Sequence, residues 1–399
     1  MLSLIVNCAF TPRCPVLHPT QKMKLPRRDF IRLSSTVALA TVLRQAPDLH
    51  ATTTSAGLGD DLDLSGWLQP VPAGAVFEDP DWCIWCGSAV RGDDGKYHLF
   101  YSRWPSRLGH YAWVTHSEIA RAVADSPTGP YRHVDVVLPA RGKSFWDGSC
   151  THNPTILRVG NKFCLYYMGN IGDGIVPPKN LNWTHRNHQR IGVALADSPA
   201  GPWTRFDKPV VDISTDNTAP DALMTSNPAV CVRPDGGLLM VYKAVATKGK
   251  APFGGPVVHL VATADQPEGP WKKDLTPIFT KPGEHFAAED PFIWHDGVRY
   301  RGIVKDNNGI FTGKGYSLAH WESRDGFDWR PAKHVFVTTP EITWTNGAKK
   351  KLNALERPQL IFDSAGAPRT LLCAGAYTSD RTRSFNVAIP LRRPFSSHS

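Results

Sequence analysis

One phrase occurs three times in this chain and limits what it can fold into. It reads ADSPTGPY at 124–131, ADSPAGPW at 196–203 and ADQPEGPW at 264–271, with a looser copy, ESRDGFDW, at 322–329. Each copy closes a run such as RIGVALA, VHLVATA or YSLAHWE, and each supplies a turn followed by an aromatic residue. An alternating apolar run is a half-buried strand, and a Pro/Gly cluster ends it. A turn phrase repeated at intervals means that one supersecondary unit is stacked on copies of itself.

A second phrase lies upstream of each. HNPTILRVGNKFCLYYMGN, SNPAVCVRPDGGLLMVYKA, EDPFIWHDGVRYRGIVKD and ERPQLIFDSAGAPRTLLCAG share one plan: a polar pair, a proline, an apolar run, a turn and a second β-rich run. CGSAVRGDDGKYHLFYSRW, from residue 86, follows it without the proline. The two phrases together make four strands per unit. Five units open near Trp85, Asn153, Asn227, Asp290 and Arg357, about sixty to seventy residues apart. Helical periodicity is almost absent after residue 60. The expected fold is all-β, a five-bladed β-propeller with four-stranded antiparallel blades around a central channel. The last unit is one strand short, and residues 61–78 are the segment expected to complete it. A β-sandwich is the rival, but it does not explain one turn phrase recurring at blade spacing.

Composition matters chiefly at the N-terminus. The 399 residues carry a net charge of +9, of which the first fifty supply +5, so the remainder is too weakly charged to suggest a nucleic-acid partner. KLPRRDFIRLSSTVALATVL places Arg27 and Arg28 before a short apolar run, which reads as a twin-arginine export signal. That run is about half the length a bilayer requires. Residues 1–55 are therefore expected to be an upstream segment and signal that is removed, with Met23 as the start and cleavage between 46 and 56. Residues 56–399 are expected to form a single propeller in the periplasm or outside the cell, with no membrane anchor. Of the cysteines beyond the signal, Cys83 and Cys86 form an isolated CxxC, which is poor support for zinc. Cys164, Cys231 and Cys373 lie in apolar runs as buried hydrophobes. A Cys86–Cys150 disulfide is conceivable in an exported protein.

In a propeller the first strand of each blade lines the channel, so residues at the five strand starts converge on one mouth. Those starts supply Asp81, Trp85 and Cys86; His152 and Asn153; Ser226 and Asn227; Glu289 and Asp290; and Glu356 and Arg357. The second strands add Arg103, Asn170, Lys243, Lys305 and Asp306. The long insertion after Asn170 offers Trp183, His185 and Arg186 as a wall of the substrate pocket, because long loops usually carry function. Carboxylates, a histidine, amides and cations at one mouth suit glycosidic hydrolysis, which needs one acid to protonate the leaving oxygen and a second to activate water or attack the sugar. Glu289, Asp290 and Glu356 are the natural set, with His152 and Asp81 as further catalytic candidates.

Here the chain resembles the five-bladed propeller glycoside hydrolases, the group of families 43, 62, 117 and 32. In that group Asp-Pro before an apolar strand carries the base and Glu-x-Pro the acid. DPFIWHDGVRYRGIV at Asp290 is similar to the first; EDP at Glu289 and ERP at Glu356 are similar to the second. The resemblance covers residues 80–390. It implies a carbohydrate substrate, no required cofactor, and a cation on the channel axis as a common accompaniment. The chain departs from families 43 and 62, whose acids fall on early blades, where this one has His152-Asn153 and Ser226-Asn227. In family 117 a histidine serves as acid, which keeps His152 in view. Asp147 is a further acid within reach from a loop.

The function expected is an exported, exo-acting glycosidase on oligosaccharides from a complex polysaccharide. Long insertions at 170–190 and 245–256 suit a closed funnel. The alternative is a polysaccharide lyase or a non-catalytic carbohydrate-binding propeller. A lyase would take Tyr300 or His152 as base and Arg357 or Lys305 to neutralise a uronate. Each site residue also has a plainer reading: Glu356-Arg357 as a surface ion pair, Glu289-Asp290 as a solvated strand start, His152 as a structural histidine. Self-association is left open.

Overall fold

The protein was analysed as a computed structural model, which describes residues 58, 59 and 61–394. The expected export signal over 1–55 lies outside the described residues. Five four-stranded antiparallel sheets follow one another along the chain. Blade one is Trp82–Arg91, Tyr97–Pro105, Glu118–Ala124 and Arg132–Leu138. Blade two is Cys150–Val159, Lys162–Asn170, Arg190–Ala196 and the short Thr204–Arg205. Blade three is Met224–Val232, Leu238–Val245, Val257–Ala264 and Lys272–Ile278. Blade four is Ala288–His295, Tyr300–Asp306, Ser317–Ser323 and Trp329–Thr338. Blade five takes only three strands from its own stretch of chain, Ala354–Phe362, Pro368–Ala376 and Ser384–Pro390. Its fourth is Val76–Glu78, which pairs antiparallel with Ser384–Pro390, so the ring is closed by the start of the domain. Completion of the last blade from 61–78 is thus borne out. Only three of those residues form the strand. The rest wraps the ring as an apolar strap, with Leu62, Leu64, Trp67 and Val71 buried.

The repeated ADSP phrase is the turn from third to fourth strand. In each tight copy the glycine N–H donates back across the turn: Gly129 to Ser126, Gly201 to Ser198 and Gly269 to Gln266, at 2.8–3.0 Å. These glycines have φ of 85–97°, a region closed to most side chains. At Gly129 a Cβ would also lie 2.9 Å from the carbonyl of Gly74. The aromatic then folds back, as where the Trp271 indole N–H donates to the Pro267 carbonyl at 3.3 Å. The repeat marks turn chemistry.

Stability comes from the wedges between blades. Phe100, Ile119 and Leu138 of blade one meet Phe163, Leu165 and Tyr167 of blade two. Tyr166, Ile191 and Val193 meet Met240, Tyr242 and Leu260 of blade three. Leu239, Val241 and Val261 meet Ile293, Val304 and Trp321 of blade four. A larger cluster joins blades four, five and one to the apolar strap. Burying sheet faces blade on blade removes the apolar surface from water and leaves only short edges exposed.

Candidate active site

The innermost strands share a defect. In each, the register slips by one residue: between Trp85 and Ser88, His152 and Thr155, Ser226 and Ala229, Glu289 and Phe292, and Glu356 and Gln359. The extra residue is left-handed in all five blades: Cys86, Asn153, Asn227, Asp290 and Arg357, with φ of 49–56°. Such a bulge re-aims a side chain, and proline tolerates it because no ladder hydrogen bond is needed there. That explains the polar-pair-proline phrase.

The five bulge residues meet on the axis. The Cys86 thiol donates to Asn153 Oδ1 at 3.0 Å, Asn153 Nδ2 to Asn227 Oδ1 at 2.6 Å, and Asn227 Nδ2 to Asp290 Oδ1 at 2.7 Å. A terminal nitrogen of Arg357 donates to the same Asp290 oxygen at 3.0 Å. The Asn153, Asn227 and Asp290 oxygens in these bonds all face N–H or S–H donors, and the ring carries a guanidinium. It does not fit the axial cation the resemblance suggested. No metal-holding group of three or more His, Cys, Asp or Glu side chains occurs among the described residues.

Above the ring lies a cavity of about 190 Å³, lined by residues of all five blades. On its wall five charges alternate. Lys243 Nζ is 2.9 Å from Glu289, Glu289 is 3.3 Å from Lys305, Lys305 is 3.1 Å from Glu356, and Glu356 is 3.1 Å from Arg381. Burial alone would raise the Glu289 carboxyl, but Lys243 and Lys305, one on each oxygen, hold it well below the usual carboxylate range. Burial pushes Asp290 up, with Glu289 and Glu356 adding to it against the pull of Arg357. The Lys305 ammonium is held above its ordinary value: burial would lower it, and Glu356 and Glu289 outweigh that. Asp290 and Glu356 each use one oxygen in these contacts, Oδ1 and Oε1. Arg357 Nε and its second terminal nitrogen are buried without a hydrogen-bond partner.

The remaining wall is aromatic: Trp85, Trp104, Trp113, His110 and His152. His152 stacks on Trp113, ring centres 4.9 Å apart, with Nδ1 2.7 Å from Ser117 Oγ and Nε2 3.6 Å from the Cys86 sulfur. Burial, with Arg357, His110 and Lys243 nearby, pushes its pKa well down. Burial and Arg381 lower His110 to about 4.

Ten sequence-predicted site residues line this cavity: Trp85, His152, Asn153, Asn227, Lys243, Glu289, Asp290, Lys305, Glu356 and Arg357. Six others do not. Asp81 lies exposed in the turn entering blade one, its N–H donated to Asp79. Arg103 packs over Trp82 and pairs with Glu118 at 2.9 Å. Asp306 is buried and accepts from the N–H groups of Phe311 and Thr312, shaping the loop above blade four. His185 is buried between Asn170 Oδ1 and the Gly174 N–H. Trp183 packs on Phe253 at 4.3 Å, and Arg186 donates to the Phe253 carbonyl, so these two clamp the insertion to the 246–256 loop. Asn170 supports His185 and Asp147 holds Arg141, Arg205 and Tyr167; neither lines the cavity. The Cys86–Cys150 disulfide is not formed: both thiols are free, and Cys150 bonds the Trp113 carbonyl. Trp104, His110, Trp113 and Arg381 line the site without having been singled out.

The fold is a five-bladed propeller with carboxyls, cations and tryptophans gathered at one mouth. No family model matches the chain, and no curated protein matches it in sequence. Solved structures do match in fold. A family 117 glycoside hydrolase from the marine bacterium Zobellia galactanivorans shares 20% identity at a TM-score of 0.56, covering 79% of this chain and 86% of its own. A thermostable family-43 glycoside hydrolase gives 12% and 0.54 over 82% of this chain and 96% of its own. An α-L-arabinofuranosidase from Lactobacillus brevis gives 13% and 0.52 over 84% and 95%. The chain has the fold of these enzymes.

Proposed function

We propose that the protein is a glycoside hydrolase that removes single sugar residues from the ends of oligosaccharides released from a complex polysaccharide. The observation that carries this reading is the pair Asp290 and Glu356. Each is anchored through one oxygen by cations or amides, which leaves the other for the cavity. At about 30 Å³ per water, the cavity of about 190 Å³ matches six waters, the bulk of one sugar ring. Three tryptophans line it, and an aromatic face suits the apolar face of a sugar.

In this reading Glu356 is the acid that protonates the leaving oxygen, and Asp290 is the base or nucleophile. A base whose pKa is raised toward the working pH is more effective than one far below it. Glu289, with a lysine on each oxygen, stays ionised and positions Lys243 and Lys305. His152, neutral and sandwiched, acts as wall. Hydrolysis of this kind requires no cofactor. Export through the twin-arginine segment belongs to the same reading; among the described residues no helix is long and apolar enough to cross a membrane. The lyase alternative is weakened by Tyr300, which pairs with His295 at the far end of the innermost strand and does not line the cavity.

The test is a panel of aryl glycosides with Asp290→Asn, Glu289→Gln and Glu356→Gln. Asp290→Asn should lower kcat on every substrate by about a thousandfold or more. Glu356→Gln should do so for poor leaving groups and spare dinitrophenyl glycosides, which need no acid. Unchanged turnover in all three variants, or an unsaturated product absorbing in the ultraviolet, would sink the assignment.

A further inference from the structure

A second cavity, of about 610 Å³, adjoins the first and shares two wall residues with it, His110 and Arg381. It lies between the blade-one loop at Tyr111, Pro177 and Pro178 of the blade-two insertion, and the blade-five loop that carries Arg381. Its volume falls in the range of about 300–1,000 Å³ typical of ligand sites. Aromatic rings lead from one cavity into the other. Trp85 and Trp104 stand 5.7 and 5.9 Å from His110, and His110 stands 5.9 Å from Tyr111. Tyr111 is 45% exposed, a large ring left in water beside a cleft.

We propose that this second cavity is the subsite for the leaving-group side of an oligosaccharide, with the face of Tyr111 as stacking platform and Arg381 as the post between the two sites. The inference rests on the hydrolase reading for the direction of the chain. The first cavity is floored by four of the bulge residues, Asn153, Asn227, Asp290 and Arg357, so a chain with one residue there must continue past its rim. The second cavity adjoins that rim through Arg381, which holds Glu356 Oε1 at 3.1 Å. The bond that crosses from one cavity to the other therefore passes beside the carboxyl assigned as acid, where a departing oxygen needs its proton. Stacking serves this role well because a rigid aromatic face costs little conformational entropy on binding and tolerates different sugars. The occupant is a carbohydrate chain extending at least one residue beyond the scissile bond.

The experiment is binding of the full-length protein and its Tyr111→Ala and Tyr111→Phe variants to an array of plant and algal polysaccharide fragments of one to four residues. Wild type is expected to bind chains of two or more residues at least about fivefold more tightly than the single sugar, Tyr111→Ala to lose that gain, and Tyr111→Phe to keep it. Tyr111 is exposed, and an unchanged near-ultraviolet dichroism spectrum checks that each variant folds. Absence of any glycan binding, no gain with length, or an equal gain in Tyr111→Ala overturns the subsite. Cleavage of the bound chain is read separately: chains that bind with a Tyr111-dependent length gain but are never cut would overturn the hydrolase reading and leave the subsite standing.

Discussion

Lys305 is the centre of the charge network, and replacing it should expose that network's energetics. It is 8% exposed and its ammonium touches Glu289 at 3.3 Å and Glu356 at 3.1 Å. Two unit charges about 3 Å apart attract by about 5 kcal/mol at an effective dielectric constant near 20. Most of that attraction offsets the cost of burying the ammonium, so the net loss on breaking a buried pair is about 3–5 kcal/mol. In Lys305→Met each carboxylate keeps one cation, Lys243 or Arg381, so about 3 kcal/mol is expected at pH 7. The Glu289 pairs stabilise the fold above the unfolded glutamate value of 4.5 and lose that effect as pH falls through the depressed folded value. Lys305, raised in the fold, contributes fully below its unfolded value of 10.5 and loses its effect as pH rises through the folded one. The cost of Lys305→Met is therefore largest between these limits. It should shrink at pH 4, where Glu289, buried and left with Lys243 alone, takes up a proton. Urea unfolding at pH 4 and pH 7 measures this, with Lys305→Arg as the charge-retaining control. A loss under about 1 kcal/mol at pH 7, or an equal loss at both pH values, would refute the network as the source of stability.

Gly129→Ala should destabilise by about 1–3 kcal/mol, read as a fall in Tm, because φ is 87° there and the new Cβ meets the Gly74 carbonyl at 2.9 Å. Phe77→Ala removes a ring packed edge-on against Tyr101 at 4.9 Å in the strand that closes blade five. It should cost about 3–5 kcal/mol in chemical denaturation. Arg357→Asn relieves backbone strain but removes the guanidinium from Asp290. Since burial already raises Asp290, the variant should be clearly less stable than wild type at pH 7 and close to it at pH 4. Equal destabilisation at both would show that Asp290 does not depend on Arg357.

Much of the architecture was legible because the chain repeats its turns. A glycine at positive φ and a proline beside it are demanded by the turn itself, so the phrase survives while strand sequences drift. The inner-strand site residues were legible for a geometric reason: equivalent positions of five blades must converge on the axis. The second strands were read less well, and register explains why. Ser226 pairs with Lys243 and Glu289 with Lys305, and both lysines face the cavity. In blade one the equivalent partner of Trp85 is Ser102, so Arg103 sits one residue past it. Asp306 likewise sits one past Lys305. A one-residue step along a strand turns the side chain to the other face. Trp113, His110 and Arg381 come from connections between second and third strands, which share no phrase between blades, so no repeat pointed to them.

The five bulges join the fold to the site. A left-handed residue other than glycine costs about 1–3 kcal/mol, least for Asn and Asp, whose short polar side chains tolerate that backbone. Three of the five positions use Asn or Asp: Asn153, Asn227 and Asp290. Cys86 and Arg357 have no such excuse, at φ of 56° each. Glycine would relieve both. What glycine would lose is the thiol that donates to Asn153 and the guanidinium that holds Asp290. The strain is thus retained where a side chain is wanted on the axis. A bulge in one blade would be a local accident, but the same slip in all five turns five strand interiors toward one point. The proline after four of them ensures that the slip cannot heal into a regular ladder there, because its nitrogen has no proton to give. Asp290, the one carboxylate among the five, receives two donors on a single oxygen from its neighbours on either side, and this defect in the sheet holds it on the axis.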